Sequence, residues 1–212
     1  MRALLACLVL LRAVPVPAQQ PFDHALSIQQ GGKEIGREEY SVRPGVRSGA
    51  SVITAHARYP ATSPTLEIGA IQERSADGAI AKFELDVQAP EGNVVILAAG
   101  SGARLIVRSV SKGSEAGREL PGGRDLVLLD DRAFSLYLAI ADVATAAGAR
   151  VTALYPRGGR RATIVARQEF GPDGTTIQLS GDVTGTLIVD AAGRLQRLEL
   201  PGPGILVTPV AK

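Results

Sequence analysis

From Ala81 to Gln88 apolar and polar residues alternate: Ala81, Phe83, Leu85 and Val87 fall on one side, Lys82, Glu84, Asp86 and Gln88 on the other. A period of two is that of a strand, and this one has a buried face and a wet face, as in an antiparallel sheet. Ile53, Ala55, Ala57 and Tyr59 repeat the pattern, as do Leu66, Ile68 and Ala70, while Ala162, Ile164 and Ala166 do so less cleanly. Asn93 to Ala98 is a continuous apolar run and reads as a central strand covered on both faces. Turn signals separate these segments, among them Gly31-Gly32, Asp77-Gly78, Pro121-Gly122-Gly123 and Pro172-Asp173-Gly174. Strand-length segments between turns predict roughly eleven to thirteen strands. Pro201-Gly202-Pro203-Gly204 before Ile205-Leu206-Val207 suggests a kinked last strand at a sheet edge.

One stretch has the other period. Arg132 to Ala147 contains no Gly or Pro and is rich in Ala and Leu, which predicts a helix over about 132–147. Asp130 or Asp131 is placed to cap it and Gly148 to stop it. Phe134, Leu136, Tyr137, Leu138, Ile140 and Val143 wrap nearly all round, so the helix is expected to be buried. The fold expected is therefore mainly β: a curved antiparallel sheet or open half-barrel with one apolar helix against its concave face. A closed lipocalin-like barrel and a two-sheet sandwich are the alternatives. A half-barrel of this length encloses more surface than one helix covers, which favours a lid over a ligand hollow rather than a fixed plug. The candidate ligand-lining residues are Phe134, Tyr137, Leu138, Phe83 and Leu85.

Composition adds the address. Arg2 followed by the apolar run Ala3 to Leu11, and then Val16-Pro17-Ala18, reads as a secretory signal peptide cleaved after Ala18. That leaves 19–212 as a single β-rich domain, exported to a periplasmic or extracellular space. Leu4-Leu5-Ala6-Cys7 superficially matches a lipobox, but too little apolar chain precedes it. Removing Arg2 and Arg12 leaves 21 basic against 21 acidic residues, a balance that argues against a nucleic-acid partner. Cys7, the one cysteine, would be lost with the leader, so no disulfide is expected. Nine apolar residues are too few for a transmembrane anchor. With two histidines in the chain, no metal site and no cofactor are expected.

The chemistry-bearing residues read plainly. Ala98 to Arg104 holds a Gly-Ser-Gly but lacks both the flanking glycines of a nucleophile elbow and the third glycine of a dinucleotide loop. A hairpin turn is the expectation there. His24 and His56 are the candidate imidazoles, each read as a solvated or edge-packed side chain. Glu38-Glu39 and Asp130-Asp131 are adjacent carboxylates, and neighbours on a strand point to opposite faces. Pro156 to Arg161 is a basic turn that would suit anionic headgroups or an acidic partner, though three arginines at a hairpin tip are more often a solvated turn.

The leader, the dozen or so strands and the apolar helix together resemble the bacterial envelope proteins built as open β half-barrels. These include the lipoprotein-localisation carriers and related periplasmic proteins. Gly32 to Glu38, Val127 to Asp131 and Val189 to Leu195 are the phrases that carry the likeness. The resemblance implies a concave apolar surface, partly closed by a helix, that binds acyl chains or a lipidated partner; it assigns no role to an individual residue. The function expected is a secreted or periplasmic non-catalytic binding module. The alternative is a structural or protein-interaction module whose cavity is filled by its own helix, with an enzyme the least favoured class.

Overall fold

The structure is a computed structural model, and it describes residues 22–62, 65–101, 103–172 and 174–210. Fifteen strands form one sheet. In chain order they are β1 (His24–Gln30), β2 (Lys33–Pro44), β3 (Ser51–Tyr59), β4 (Leu66–Arg74), β5 (Ile80–Gln88), β6 (Val94–Ser101), β7 (Arg104–Ser111) and β8 (Ser114–Pro121). Then follow β9 (Leu126–Leu128), β10 (Ala149–Tyr155), β11 (Arg160–Gly171), β12 (Gly174–Gly181), β13 (Gly185–Val189), β14 (Leu195–Leu200) and β15 (Ile205–Pro209). Between β9 and β10 lies a 3-10 turn, Phe134–Tyr137, that runs into one α-helical turn, α1 (Leu138–Ala141). The predicted signal peptide lies outside the described residues.

In space the order is β8-β7-β6-β5-β4-β3-β2-β1-β15-β14-β13-β12-β11-β10-β9, an open sheet. Two antiparallel meanders are joined where β1 pairs β15, Leu26 opposite Pro209 and Ile28 opposite Val207. The β9–β10 pairing is parallel. Flat, the two outer strands would lie about 67 Å apart, at the usual spacing between strands. Yet β8 ends at Pro121 and β9 begins at Leu126, a link that reaches at most about 18 Å. The sheet must therefore curl until its two ends meet, and β9 packs against β5. What bridges the gap is a side chain. Arg74 of β4, 2% exposed, donates from Nη1 to the Leu126 carbonyl (3.1 Å) and from Nη2 to the Arg124 carbonyl (2.9 Å). One buried guanidinium stands in for the ladder that would have closed a barrel.

Alternation decides which side chains face the hollow. Phe83, Leu85 and Val87 of β5, Ile53, Ala55, Ala57 and Tyr59 of β3, and Ile68 and Ala70 of β4 all join one continuous core. The run Val94 to Ala98 is covered on one face only: Ile96 is buried, while Leu97 on the other face is 38% exposed. No second layer of the described residues lies over that outer face, so its apolar side chains meet solvent.

The half-barrel expectation holds, with three differences of detail. There are more strands than the pattern suggested, because β8, exposed along nearly its whole length, and the three-residue β9 carry no clear alternation. The helix is also half the expected length. Past Ala141 the backbone is claimed by the sheet: Thr145 bridges Arg167, and the Gln168 amide donates to the Thr145 carbonyl at 2.9 Å. That long-range pairing outweighs the helical preference of the alanines. The Pro201–Gly204 turn leads into β15, which is not an edge strand but lies between β1 and β14.

Candidate functional site

The helical segment fills the hollow. Phe134, Leu136, Tyr137, Ala139 and Ile140 are all buried in the core cluster. Three strands and a hairpin hold it. Glu38 of β2, with no solvent exposure, accepts hydrogen bonds from the amides of Phe134 (2.6 Å) and Ser135 (2.9 Å), which begin the turn and have no partner within it. Tyr59 of β3 donates its hydroxyl to the Arg132 carbonyl at 2.7 Å. Gly36 makes room for that reach, since a β-carbon there would sit 2.5 Å from the Tyr59 ring. Asp130 accepts the Arg132 amide and both Nε and Nη2 of Arg157, from the β10–β11 turn. The hydroxyls of Tyr137 and of Tyr155 in β10 lie 3.0 Å apart.

Burial pushes the Glu38 carboxyl above its ordinary range, against the pull of the Ser135 and Phe134 groups. Ser135 Oγ lies beside that carboxylate without the geometry of a hydrogen bond to it. Burial also raises Asp130, against the opposing attraction of Arg157. The Tyr137 and Tyr155 hydroxyls are pushed up by burial too. The capping role expected of Asp130 or Asp131 is therefore filled from elsewhere, by Glu38. Its neighbour Glu39 points to solvent, as alternation requires.

Beside this segment, at the mouth of the half-barrel, opens a cleft of about 370 Å³. Phe134, Tyr137 and Tyr155 form its aromatic lining, with Val183, Leu200 and Ile205 adding aliphatic wall. Arg132, Arg160, Asp131, Asp182 and Gln30 supply polar groups. Arg160 stacks over the Tyr155 ring at 3.5 Å and pairs with Asp131 at 2.6 Å. Arg132 lies 5.0 Å over the Tyr59 ring.

Of the ligand-lining candidates, Phe134 and Tyr137 line this cleft, while Leu138, Phe83 and Leu85 lie in the core away from it. Tyr155 and Arg132 are not marked as site residues by the sequence, whereas Arg160 belongs to the basic Pro156–Arg161 turn that it does mark. Tyr155 ends an ordinary strand, and the arginines gain meaning only from residues distant in the chain. The basic Pro156–Arg161 turn is largely neutralised, with Arg157 on Asp130 and Arg160 on Asp131.

Elsewhere His24 packs against the Tyr40 ring, and His56 lies on the outer face 3.7 Å from Glu67. Gly100-Ser101 ends β6 and leads into β7, the hairpin expected. Among the described residues there is no cluster of His, Cys, Asp and Glu that could hold a metal, and no helix is long and apolar enough to cross a membrane. Comparison with protein-family models, with curated proteins and with solved structures found no match to this chain.

Proposed function

We propose that this chain is an exported, non-catalytic binding module of the cell envelope, with its ligand held in the cleft at the mouth of the half-barrel. The observation that carries the reading is the pairing of a filled hollow with an open, aromatic-lined cleft beside it. A pocket of about 370 Å³ lies at the lower end of the range for small-molecule sites, and a few polar groups among apolar walls are typical of them. The concave surface that the half-barrel resemblance implies for acyl chains is taken up by the chain's own Phe134 to Ile140. That favours occupancy at the mouth, by a small ligand or by the end of a lipid-modified partner. The same filled hollow supports a second reading, a structural or protein-interaction module without a small ligand.

A neutral apolar fluorophore, N-phenyl-1-naphthylamine, separates the two. Val183 is half-buried on the cleft wall at the margin of the core, so Val183→Trp fills the space, and its melting curve verifies folding. The binding reading expects saturable fluorescence enhancement at one site per chain, abolished in the Trp variant. Absence of saturable binding, or binding indifferent to the substitution, supports the structural module instead.

A further inference from the structure

We infer that the occupant of the mouth cleft is an amphipathic anion, with an aliphatic body and a single carboxylate-like or phosphate-like head; this rests on the cleft being the binding site. The charges around the cleft are nearly all spent. Asp131 pairs with Arg160, Arg157 pairs with Asp130, and the Asp182 carboxylate accepts the Thr163 amide at 2.8 Å. Neither Asp182 nor Arg132 forms an ion pair among the described residues, but Asp182 has the Thr163 amide, whereas the Arg132 guanidinium, which lines the cleft and meets the face of Tyr59, has no hydrogen-bond acceptor among them. A guanidinium has five donors and no acceptor, so an anion is its natural complement.

The tyrosines supply a second, independent sign. Tyr137 and Tyr155 are each 2% exposed, both line the cleft, and their hydroxyls bond to each other. Two hydroxyls carry two protons and one bond between them uses one. The remaining proton has no acceptor among the described residues and is available to an acceptor bound in the cleft. Cation and hydroxyl thus call for an acceptor-rich head, while Val183, Leu200, Ile205 and Phe134 suit a hydrocarbon body. The cleft has room for about a dozen water-sized groups, which is the size of a ten-carbon amphiphile rather than of a long acyl chain.

Calorimetric titration near neutral pH, below micelle-forming concentrations, tests this with decanoate, decyl phosphate, decanol and decylamine on the full mature chain. Decanoate or decyl phosphate is expected to bind at least tenfold more tightly than decanol, roughly the worth of one charge-assisted hydrogen bond, and decylamine most weakly. Arg132→Gln should remove that preference, weakening the anions by far more than decanol, and Arg132→Lys should restore part of it. The Gln variant keeps the Arg132 carbonyl that Tyr59 holds, and its melting curve verifies folding. The ranking of the two anions tells a carboxylate site from a phosphate site. Decanol binding as tightly as either anion, or an anion preference that survives Arg132→Gln, overturns the inference while leaving a binding site in place. No binding by any of the four, with no uptake of the naphthylamine probe, overturns the binding reading itself.

Discussion

Arg74 shows how much one side chain can carry in an open sheet. An edge strand presents unpaired carbonyls, and β9 with the link before it turns those of Leu126 and Arg124 towards a buried guanidinium on the opposite flank. Burial works against the charge on Arg74, and the Asp142 carboxylate at the end of α1 supports it. Arg74→Met keeps much of the bulk but strips both carbonyls of their donor. We expect a loss of about 2–4 kcal/mol in urea unfolding, since each is left desolvated and unpaired. An unchanged midpoint would mean that the flanks are held by apolar contact alone. Nothing in the sequence marks Arg74, or separates Glu38 from Glu39, because both roles depend on partners about 50 and 100 residues away. What the sequence did carry at this scale is the alternation itself, which placed Phe83, Leu85 and Val87 inside.

At the scale of the element, the helical turn was legible as apolar and buried, but neither its length nor its cap was. Six large apolar residues within ten positions announce a buried segment, whereas the capture of Thr145 by β11 and the capping by Glu38 are tertiary events. Its seating bears on the lid that the size of the hollow suggested. A segment held through Glu38, Tyr59 and Asp130, with its side chains in the core, is built as a plug. Glu38→Gln probes that hold, because an amide can accept from only one of the two turn amides and brings donors that face them. Amide exchange across Phe134 to Ile140 should match that of β5 in the wild-type protein and be faster in the variant. Early exchange in the wild type would restore the lid. The pH dependence has a definite sign. The Glu38 carboxyl sits above its ordinary 4.5 in the fold, so the folded state holds its proton while the unfolded state releases it. Its contribution to stability is thus greatest below that value and declines as pH rises above it. The Gln variant lacks this decline. It should be the less stable protein at low pH, by about 1 kcal/mol for the lost bond, and the gap should narrow as pH rises. Asp130, whose charge adds to the rise at Glu38, titrates in both proteins.

The whole molecule is organised by where its first and last strands meet. Local alternation says nothing about which strands lie side by side, so Pro201–Gly204 looked like the approach to an edge. In fact β15 is the seam of the sheet: Leu26 to Gln30 pair one of its sides and Leu198 to Leu200 the other. Along the chain β1 and β15 are separated by nearly the full sequence, yet they join two meanders that also meet through the plug, the closure at β9 and the hydrogen bond from the Leu195 amide to the Tyr40 hydroxyl. This makes the seam and the outer hairpin very unequal in importance. Ending the chain at Gly204 removes buried Ile205 and Val207 and bares two long strand edges in the middle of the sheet. Each lost core side chain costs about 1–3 kcal/mol, and the bared edges invite pairing between molecules. The truncated protein should lose cooperative unfolding and aggregate. Replacing Ser109–Ala116, the solvent-exposed tip of the β7–β8 hairpin, with a two-residue Asn-Gly turn removes a comparable length of paired strand far from the seam. That shortened protein should unfold cooperatively within about 1 kcal/mol of the parent, because little buried surface is lost. If the truncation at Gly204 instead gave a monomer with a sharp transition near the parent's, each meander would be a folding unit in its own right, and the seam would be an interface between them rather than the spine of one sheet.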